Sequence, residues 1–193
     1  MKINLHGFKP KSKANGPGTR AVIWFQGCTL NCGGCGNTTT HGDDGQLVDV
    51  QEVKDLILEA VNMHDVEGVT FSGGEPLQQP EALRELMLYA DGLGLSVIVS
   101  TGYTPEEIAE MPIIVQLSLA VLADVVITGR YMRSQHLGSG FRGSANKEYE
   151  FNSDRYTLSD FANIEPFEVE IVDGTIEVTG VGVNVDELVK MLQ

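Results

Sequence analysis

The chain has 193 residues, 42% of them hydrophobic, which is enough to bury one good core and falls within the size range of single domains. It carries 27 acidic against 13 basic side chains, and the resulting formal charge of -14 would repel nucleic-acid phosphates and anionic lipid surfaces. No segment has membrane-spanning length, and the N-terminus lacks the apolar run of a secretion signal. We therefore expect one cytoplasmic domain with no nucleic-acid and no membrane partner.

Strand signals begin after a turn at Asn15-Gly16-Pro17-Gly18, which closes a stretch rich in Gly, Lys and Pro. Four short apolar runs predict strands at residues 20–26, 68–72, 95–100 and 124–128. Because the first of these runs is nearly continuous in apolar residues, it suits a sheet that is covered on both faces.

The segments between these strands carry helix-start signals. Asp49 with Glu52 and Thr104 with Glu107 form capping boxes, and Pro80 opens the helix between them. An order of strand, helix, strand predicts a parallel sheet with right-handed crossovers. Four such units are too few to close an eight-stranded barrel, so we expect an α/β fold built as a partial, open β/α barrel of parallel strands.

The last third of the chain has a different character. Residues 129–163 are polar and glycine-rich without a clear period, and we expect an irregular loop that acts as a lid or binds a partner, with a simple surface loop as the alternative. Beyond it, two alternating runs flank Asp173 and Gly174, which predicts a β-hairpin, and Asn184 caps a final helix. The single domain over residues 1–193 then has three parts: a core at 15–128, the loop at 129–163, and a hairpin with a helix at 164–193.

All three cysteines of the chain lie close together, as Cys28, Cys32 and Cys35. Their C-x3-C-x2-C spacing supplies three thiolates and no fourth, which favours a 4Fe-4S cluster that keeps one iron open for catalysis. A zinc site would need a fourth ligand, for which His41 is the nearby candidate, and a two-cluster ferredoxin would need more cysteines. Clustered cysteines without distant partners also indicate metal binding in a reducing compartment.

A glycine–acid motif ends the second predicted strand with Gly73, Gly74 and Glu75. At the carboxyl end of a parallel strand, exposed backbone and a carboxylate can hold the ammonium group of an amino acid. The same short motif also fits an ordinary strand-to-helix turn. Ser100 and Thr101 end the third strand on the same edge, where their hydroxyls either meet a ribose or satisfy a turn.

Gly34 and Gly36 next to the cysteines permit a tight loop, and their missing side chains leave room for a cofactor beside the cluster. Three arginines, Arg130, Arg133 and Arg142, enrich one segment of an otherwise acidic chain. We expect one of them to meet a carboxylate.

These motifs, in this order, resemble the radical S-adenosylmethionine (SAM) superfamily, and more narrowly the activating proteins of anaerobic ribonucleotide reductase. The resemblance spans residues 15–146. The segments that carry it are Asn15-Gly16-Pro17-Gly18-Thr19-Arg20, Gly27 through Asn37, Ser72-Gly73-Gly74-Glu75-Pro76, Thr101-Gly102-Tyr103, and Phe141-Arg142-Gly143-Ser144 with Asn146.

The resemblance implies a 4Fe-4S cluster and SAM as cofactors, with three irons bound to cysteine and the fourth chelated by the amine and carboxylate of SAM. The residues that it implies are Cys28, Cys32 and Cys35 for the cluster, Gly73, Gly74 and Glu75 for the methionyl amine, and Gly34 to Gly36 for the adenosyl side.

The activity implied by the resemblance is reductive cleavage of SAM to methionine and a 5'-deoxyadenosyl radical, which takes a hydrogen from a glycine in a partner protein. That partner would be a glycyl-radical enzyme such as anaerobic ribonucleotide reductase, with a flavodoxin or ferredoxin-type protein as electron donor. Two alternatives stand beside this hypothesis. One directs the same radical at a small molecule or a peptide, and the other is a non-catalytic zinc or iron-sulfur module.

Overall fold

The computed structural model describes residues 1–172 and 174–181, which form a seven-stranded sheet, a two-stranded sheet and five α-helices. The strands are β1 (Lys2–Ser12), β2 (Arg20–Phe25), β3 (Gln46–Asp49), β4 (Gly68–Gly73), β5 (Ser96–Ser100), β6 (Val125–Thr128), β7 (Glu148–Phe151), β8 (Phe167–Val172) and β9 (Thr175–Gly180). The helices are α1 (Val50–His64), α2 (Pro80–Gly92), α3 (Pro105–Ala109), α4 (Ile113–Leu122) and α5 (Leu158–Ala162).

Four parallel strands form the centre of the large sheet, whose order is β3-β1-β2-β4-β5-β6-β7. β4 pairs in parallel with β2 and β5, and β5 pairs in parallel with β6. These four strands are buried almost throughout, which explains why their sequences are apolar on both faces. The predicted α/β fold with a parallel centre is confirmed, and antiparallel strands β1, β3 and β7 extend it on either side.

Each face of the sheet is covered by a separate apolar layer. Helices α1, α2 and α4 pack on one face, against side chains such as Phe71 and Val97. On the other face, Phe141 and Phe161 pack over Ile98. The segment predicted as a wholly irregular loop therefore builds part of the core, and it includes β7 and α5. Elements of four and five residues are too short to show a period in the sequence.

The predicted capping boxes are present at the starts of α1 and α3. Asp49 accepts a hydrogen bond from the Gln51 backbone N at 2.9 Å, and Glu52 accepts one from the Asp49 backbone N at 3.1 Å. Thr104 and Glu107 exchange the equivalent pair at the start of α3. None of the helices that the structure describes has the length and apolar character needed to cross a bilayer.

Strand β1 is an element that sequence reasoning missed. Gly7 and Pro10 lie inside it and argue against a strand, since Pro cannot donate to a ladder. The structure accommodates Pro10 because β3 pairs only with residues 2–5, and β1 bulges against β2 on both sides of Phe8. Pro10 therefore lies where β1 has a strand neighbour on one side only.

The predicted hairpin is confirmed as β8 and β9, and its polar face contacts β1 and the turn that follows it. Glu170 accepts from Lys9 at 2.5 Å, and Glu168 accepts from the Ser12 hydroxyl at 2.6 Å. The predicted C-terminal helix, capped by Asn184, lies outside the described residues.

A fully buried arginine fastens the amino-terminal ends of the central strands. Arg20 donates to the Thr70 hydroxyl at 2.7 Å, the Val69 carbonyl at 2.8 Å and the Ser96 hydroxyl at 2.9 Å. It also donates to the Tyr156 hydroxyl, 3.0 Å away. Burial lowers the pKa of Arg20, and no carboxylate among the described residues forms a salt bridge with it. The hydrogen-bond acceptors that stabilise this buried guanidinium are therefore carbonyl and hydroxyl oxygens.

Replacing this arginine by methionine should destabilise the protein strongly. Arg20→Met leaves the Val69 and Ser96 carbonyls without their arginine donor in a buried site, so we expect the free energy of unfolding to fall by about 3 kcal/mol. Urea denaturation followed by circular dichroism measures the change. Arg84→Met, on the exposed face of α2, is the matched control and should change stability by less than about 0.5 kcal/mol. Equal stability of the two variants would contradict the account.

Candidate functional site

The cysteines lie on the loop that leaves the carboxyl end of β2 and returns as β3. Backbone bonds close the base of this loop, because Gly27 N donates to the Thr40 carbonyl at 2.8 Å and Cys28 N donates to the His41 carbonyl at 3.2 Å. Within the loop, Cys35 N donates to the Cys32 carbonyl at 3.1 Å. The loop therefore presents its three thiols from a closed base at the edge where active sites of parallel sheets form.

The three thiols are the metal-ligand candidates that this loop presents. All three are half-buried and none is in a disulfide, and burial raises the pKa of Cys28 and Cys35. Across residues 1–172 and 174–181, no three His, Cys, Asp or Glu side chains gather to hold one metal ion, and His41 completes no such group. In a 4Fe-4S cube each thiolate binds a different iron, so its ligands do not converge on a point. A donor set made of thiols alone fits that cofactor.

The glycine–acid turn after β4 packs directly onto the base of the cysteine loop. Gly74 N donates to the Phe25 carbonyl at 2.7 Å, and Glu75 N donates to the Gly27 carbonyl at 2.9 Å. Gly73 has a φ of +103°, and a Cβ there would lie 2.5 Å from the Phe25 backbone N. A Cβ on Gly74 would lie 2.4 Å from the Gly27 carbonyl oxygen. Only glycine permits this contact between the two predicted cofactor-binding segments.

Glu75 is buried, with 1% of its surface exposed, and its carboxylate joins the ends of β4 and β5. Oε1 accepts from Leu77 N at 2.9 Å and from the Thr101 hydroxyl at 2.7 Å, while Oε2 accepts from Gly102 N at 2.8 Å. Burial raises the pKa of Glu75, and these three bonds lower it. The carboxylate is thus a brace within the protein, a role that the sequence did not reveal.

The other predicted cofactor residues lie around this brace. Thr101 is buried, and its hydroxyl also accepts from Tyr103 N at 3.1 Å, so two protein partners satisfy it. Ser100 is less buried and accepts from Lys147. Gly34, with φ +79°, lies against the Arg133 side chain, whereas a Cβ on Gly36 would meet nothing within 4 Å. Contacts of these residues with SAM stay predictions.

Two polar side chains that sequence reasoning did not assign to the site hold its loops together. Gln78 accepts from Thr29 N at 3.2 Å and donates to the Thr29 hydroxyl at 2.7 Å and the Tyr103 hydroxyl at 3.1 Å. It therefore ties the cysteine loop to the turn after β5. Lys147, just before β7, is buried beside Ser100. Neither residue stands in a motif, and only the fold brings them to the site.

Arg130 confirms the expectation that one arginine of its segment meets a carboxylate. Its guanidinium donates to both carboxylate oxygens of Glu107, at 2.6 and 2.8 Å, and to the Gly102 carbonyl. It also lies 5.2 Å from the centre of the Tyr103 ring. The bidentate pair fixes the turn whose backbone N binds Glu75.

If Glu75 braces the protein, removing its carboxylate should weaken the fold before any cofactor binds. We expect Glu75→Ala to lower the free energy of unfolding of the cluster-free protein by about 2 kcal/mol, because the donors of Leu77, Thr101 and Gly102 lose their acceptor in a buried site. Urea unfolding measures this. Glu59→Ala, on the exposed side of α1, is the control and should be neutral within about 0.5 kcal/mol. If Glu75→Ala left the free energy of unfolding unchanged, Glu75 would have no bracing role and its function would be ligand binding alone.

Comparison with known proteins agrees with this arrangement. Residues 14–150 match the model of the 4Fe-4S single cluster domain family. The anaerobic ribonucleoside-triphosphate reductase-activating protein of Enterobacteria phage T4 is 31% identical over 157 residues, covering 79% of this chain and 96% of that protein. The protein of the same name from Vibrio cholerae serotype O1 is 29% identical over 152 residues, covering 75% and 96%.

A pyruvate formate-lyase-activating enzyme from Clostridium pasteurianum is 35% identical over 103 residues, covering 51% of this chain and 43% of that protein. Among solved structures, QueE from Escherichia coli covers 53% of each chain at 19% identity with a TM-score of 0.36, too slight a likeness to inform the fold. The family match covers most of the chain, and the phage relative is aligned over nearly its whole length. The chain therefore belongs to the 4Fe-4S single cluster domain family, among the radical SAM activating enzymes of glycyl-radical enzymes.

Proposed function

We propose that this protein activates an anaerobic ribonucleoside-triphosphate reductase by installing a glycyl radical on it. One observation carries the proposal. The three thiols of the chain lie on a loop whose base is bonded to the Gly73-Gly74-Glu75 turn, at the carboxyl edge of the parallel strands. The phage T4 relative named for activating that reductase has 96% of its length covered by this chain, which supports the choice of partner.

The residues of the chain divide into two groups in this proposal. Cys28, Cys32 and Cys35 hold three irons of the cluster, and the protein leaves the fourth to SAM. The SAM-binding group comprises Gly34, Gly36, Gly73, Gly74, Glu75, Ser100 and Thr101. The chemistry supplied at this position is one-electron cleavage of SAM to methionine and a 5'-deoxyadenosyl radical.

Glu75 can bind the methionyl amine only through carboxylate lone pairs that accept no hydrogen bond from the protein itself. Each carboxylate oxygen has two lone pairs, and Oε2 accepts one bond, from Gly102 N. Gly73 ends β4, and Gly74 connects it to Glu75. We therefore propose that the amine binds at Oε2 and the adjoining backbone, while Oε1 keeps the carboxylate aligned through Leu77 and Thr101.

This chemistry also has consequences for the domain architecture, the cellular compartment and the electron donor. We infer one radical SAM domain whose parallel strands curve into a partial barrel around SAM, so that the irregular part of residues 129–163 closes or docks over the edge. Thiolates of an open cluster need a reducing compartment, which is the cytoplasm, and a flavodoxin or ferredoxin-type protein would deliver the electron. The glycine that loses its hydrogen belongs to the partner reductase.

Removing one thiol tests the assignment of the cluster ligands. Cys32→Ala should abolish 5'-deoxyadenosine formation from SAM and dithionite after anaerobic reconstitution, because two cysteines cannot hold the cube. Product is measured by liquid chromatography, and circular dichroism should show an intact fold. Thr38→Ala, exposed on the same loop, is the control and should keep wild-type turnover. An active Cys32→Ala variant would contradict the ligand assignment, and a colourless wild-type protein that binds zinc would indicate the non-catalytic module.

A second experiment tests the partner. The reconstituted protein, SAM and a reductant should produce a glycyl radical on the anaerobic reductase encoded by the same genome, seen by electron paramagnetic resonance. A reductase with its radical-bearing glycine changed to alanine is the control and should give no signal. Formation of 5'-deoxyadenosine without any radical on the reductase would overturn the choice of partner and point to a small molecule or peptide as substrate.

A further inference from the structure

Lys147 is a buried lysine with few partners. Its residue is 8% exposed, in the segment that runs from β6 to β7, and its ammonium carries three N–H donors. Among the described residues its ammonium has one hydrogen bond, to the Ser100 hydroxyl at 3.4 Å, which is long. No carboxylate in the same part of the chain forms a salt bridge with it. The Lys147 side chain is thus held inside the protein without an ion pair among the described residues.

The charged groups that act on Lys147 belong to the cofactor site. Burial lowers the pKa of Lys147, and Glu75, Cys32 and Cys35 raise it. The carboxylate of Glu75 is already engaged by Leu77, Thr101 and Gly102. Hydrogen bonds place Lys147 at the same edge of the sheet as the cysteine loop. It donates to Ser100, the neighbouring Thr101 hydroxyl donates to Glu75 at 2.7 Å, and Glu75 N donates to the Gly27 carbonyl at the base of that loop.

The position of Lys147 also separates it from the other buried cations. Arg20 and Lys9 are the remaining ones among the described residues, at 0% and 7% exposure. Arg20 begins β2, at the end opposite the cysteines, and Lys9 pairs with Glu170. Of these three, Lys147 alone is hydrogen-bonded at the carboxyl edge that carries the cysteine loop, in surroundings where low polarity lengthens the reach of a charge.

We propose that the buried charge of Lys147 raises the reduction potential of the cluster bound by Cys28, Cys32 and Cys35, and so helps that cluster to accept its electron. The inference rests on the proposed function, since it needs the cluster. One electron passes from a low-potential donor to the cluster, no bond forms or breaks, and Lys147 keeps its proton. Reduction adds one negative charge to the cluster as a whole, and a nearby cation in a site of low polarity stabilises the reduced form more than the oxidised form.

The experiment measures the potential directly, in reconstituted full-length protein without SAM. Dithionite titration followed by electron paramagnetic resonance gives the midpoint for the wild type and for Lys147→Met, which removes the charge and preserves much of the volume. At a given potential, we expect the ratio of oxidised to reduced cluster to be on the order of tenfold higher in Lys147→Met than in the wild type. This corresponds to a midpoint potential that is lower by about 59 mV for one electron. Lys147→Arg keeps the charge and should stay near the wild-type midpoint.

Lys9→Met is the matched control, because it also removes one buried lysine and one unit of charge, but from β1. Its midpoint should equal that of the wild type. A midpoint of Lys147→Met equal to that of Lys9→Met, or a shift in Lys147→Arg as large as in Lys147→Met, would overturn the inference. If Lys147→Met assembles no cluster, Lys147→Gln replaces it and the same two outcomes decide. A wild-type protein without a 4Fe-4S signal would instead refute the proposed function.

Discussion

The hydrogen bonds around the Gly73-Gly74-Glu75 turn are the constraint on which the site depends. The two glycines let the end of β4 approach the base of the cysteine loop, where side chains would collide with the backbone of Phe25 and Gly27. The buried Glu75 carboxylate then binds the turn after β5. The segment that carries the thiols and the segments predicted to hold SAM are therefore one bonded unit, so the folded protein sets the relative position of these segments.

Polar side chains inside the sheet are concentrated at its two ends. At the amino end Arg20 ties the strands together through carbonyls and hydroxyls. At the carboxyl end Glu75 does the same by accepting from N–H and O–H donors, with Lys147 nearby. The Arg20 guanidinium donates hydrogen bonds to groups of the protein through all three of its nitrogens. In contrast, Glu75 keeps carboxylate lone pairs and Lys147 keeps N–H donors that make no hydrogen bond among the described residues. That difference distinguishes a structural end of the sheet from an end suited to a cofactor.

Much of this could be predicted from the sequence, because the central strands are continuous apolar runs and the capping boxes of α1 and α3 are local patterns. The cysteine loop and the glycine–acid turn are also local. β1 escaped prediction because Pro10 is tolerated only through an uneven pairing that the sequence does not display. The brace at Glu75 and the place of Lys147 depend on contacts with Thr101 and Ser100, 26 and 47 residues away. No local pattern encodes such contacts, so they became visible only in the folded chain.

The central claim is that the protein holds a cube with one iron left for SAM. The electron paramagnetic resonance spectrum of the reduced, reconstituted protein, recorded before and after addition of SAM, tests this claim most directly. Because SAM would bind the open iron itself, the account predicts that the cluster signal changes shape when SAM is added. A cluster signal that SAM leaves unaltered would mean that the fourth iron is closed, and would contradict the account.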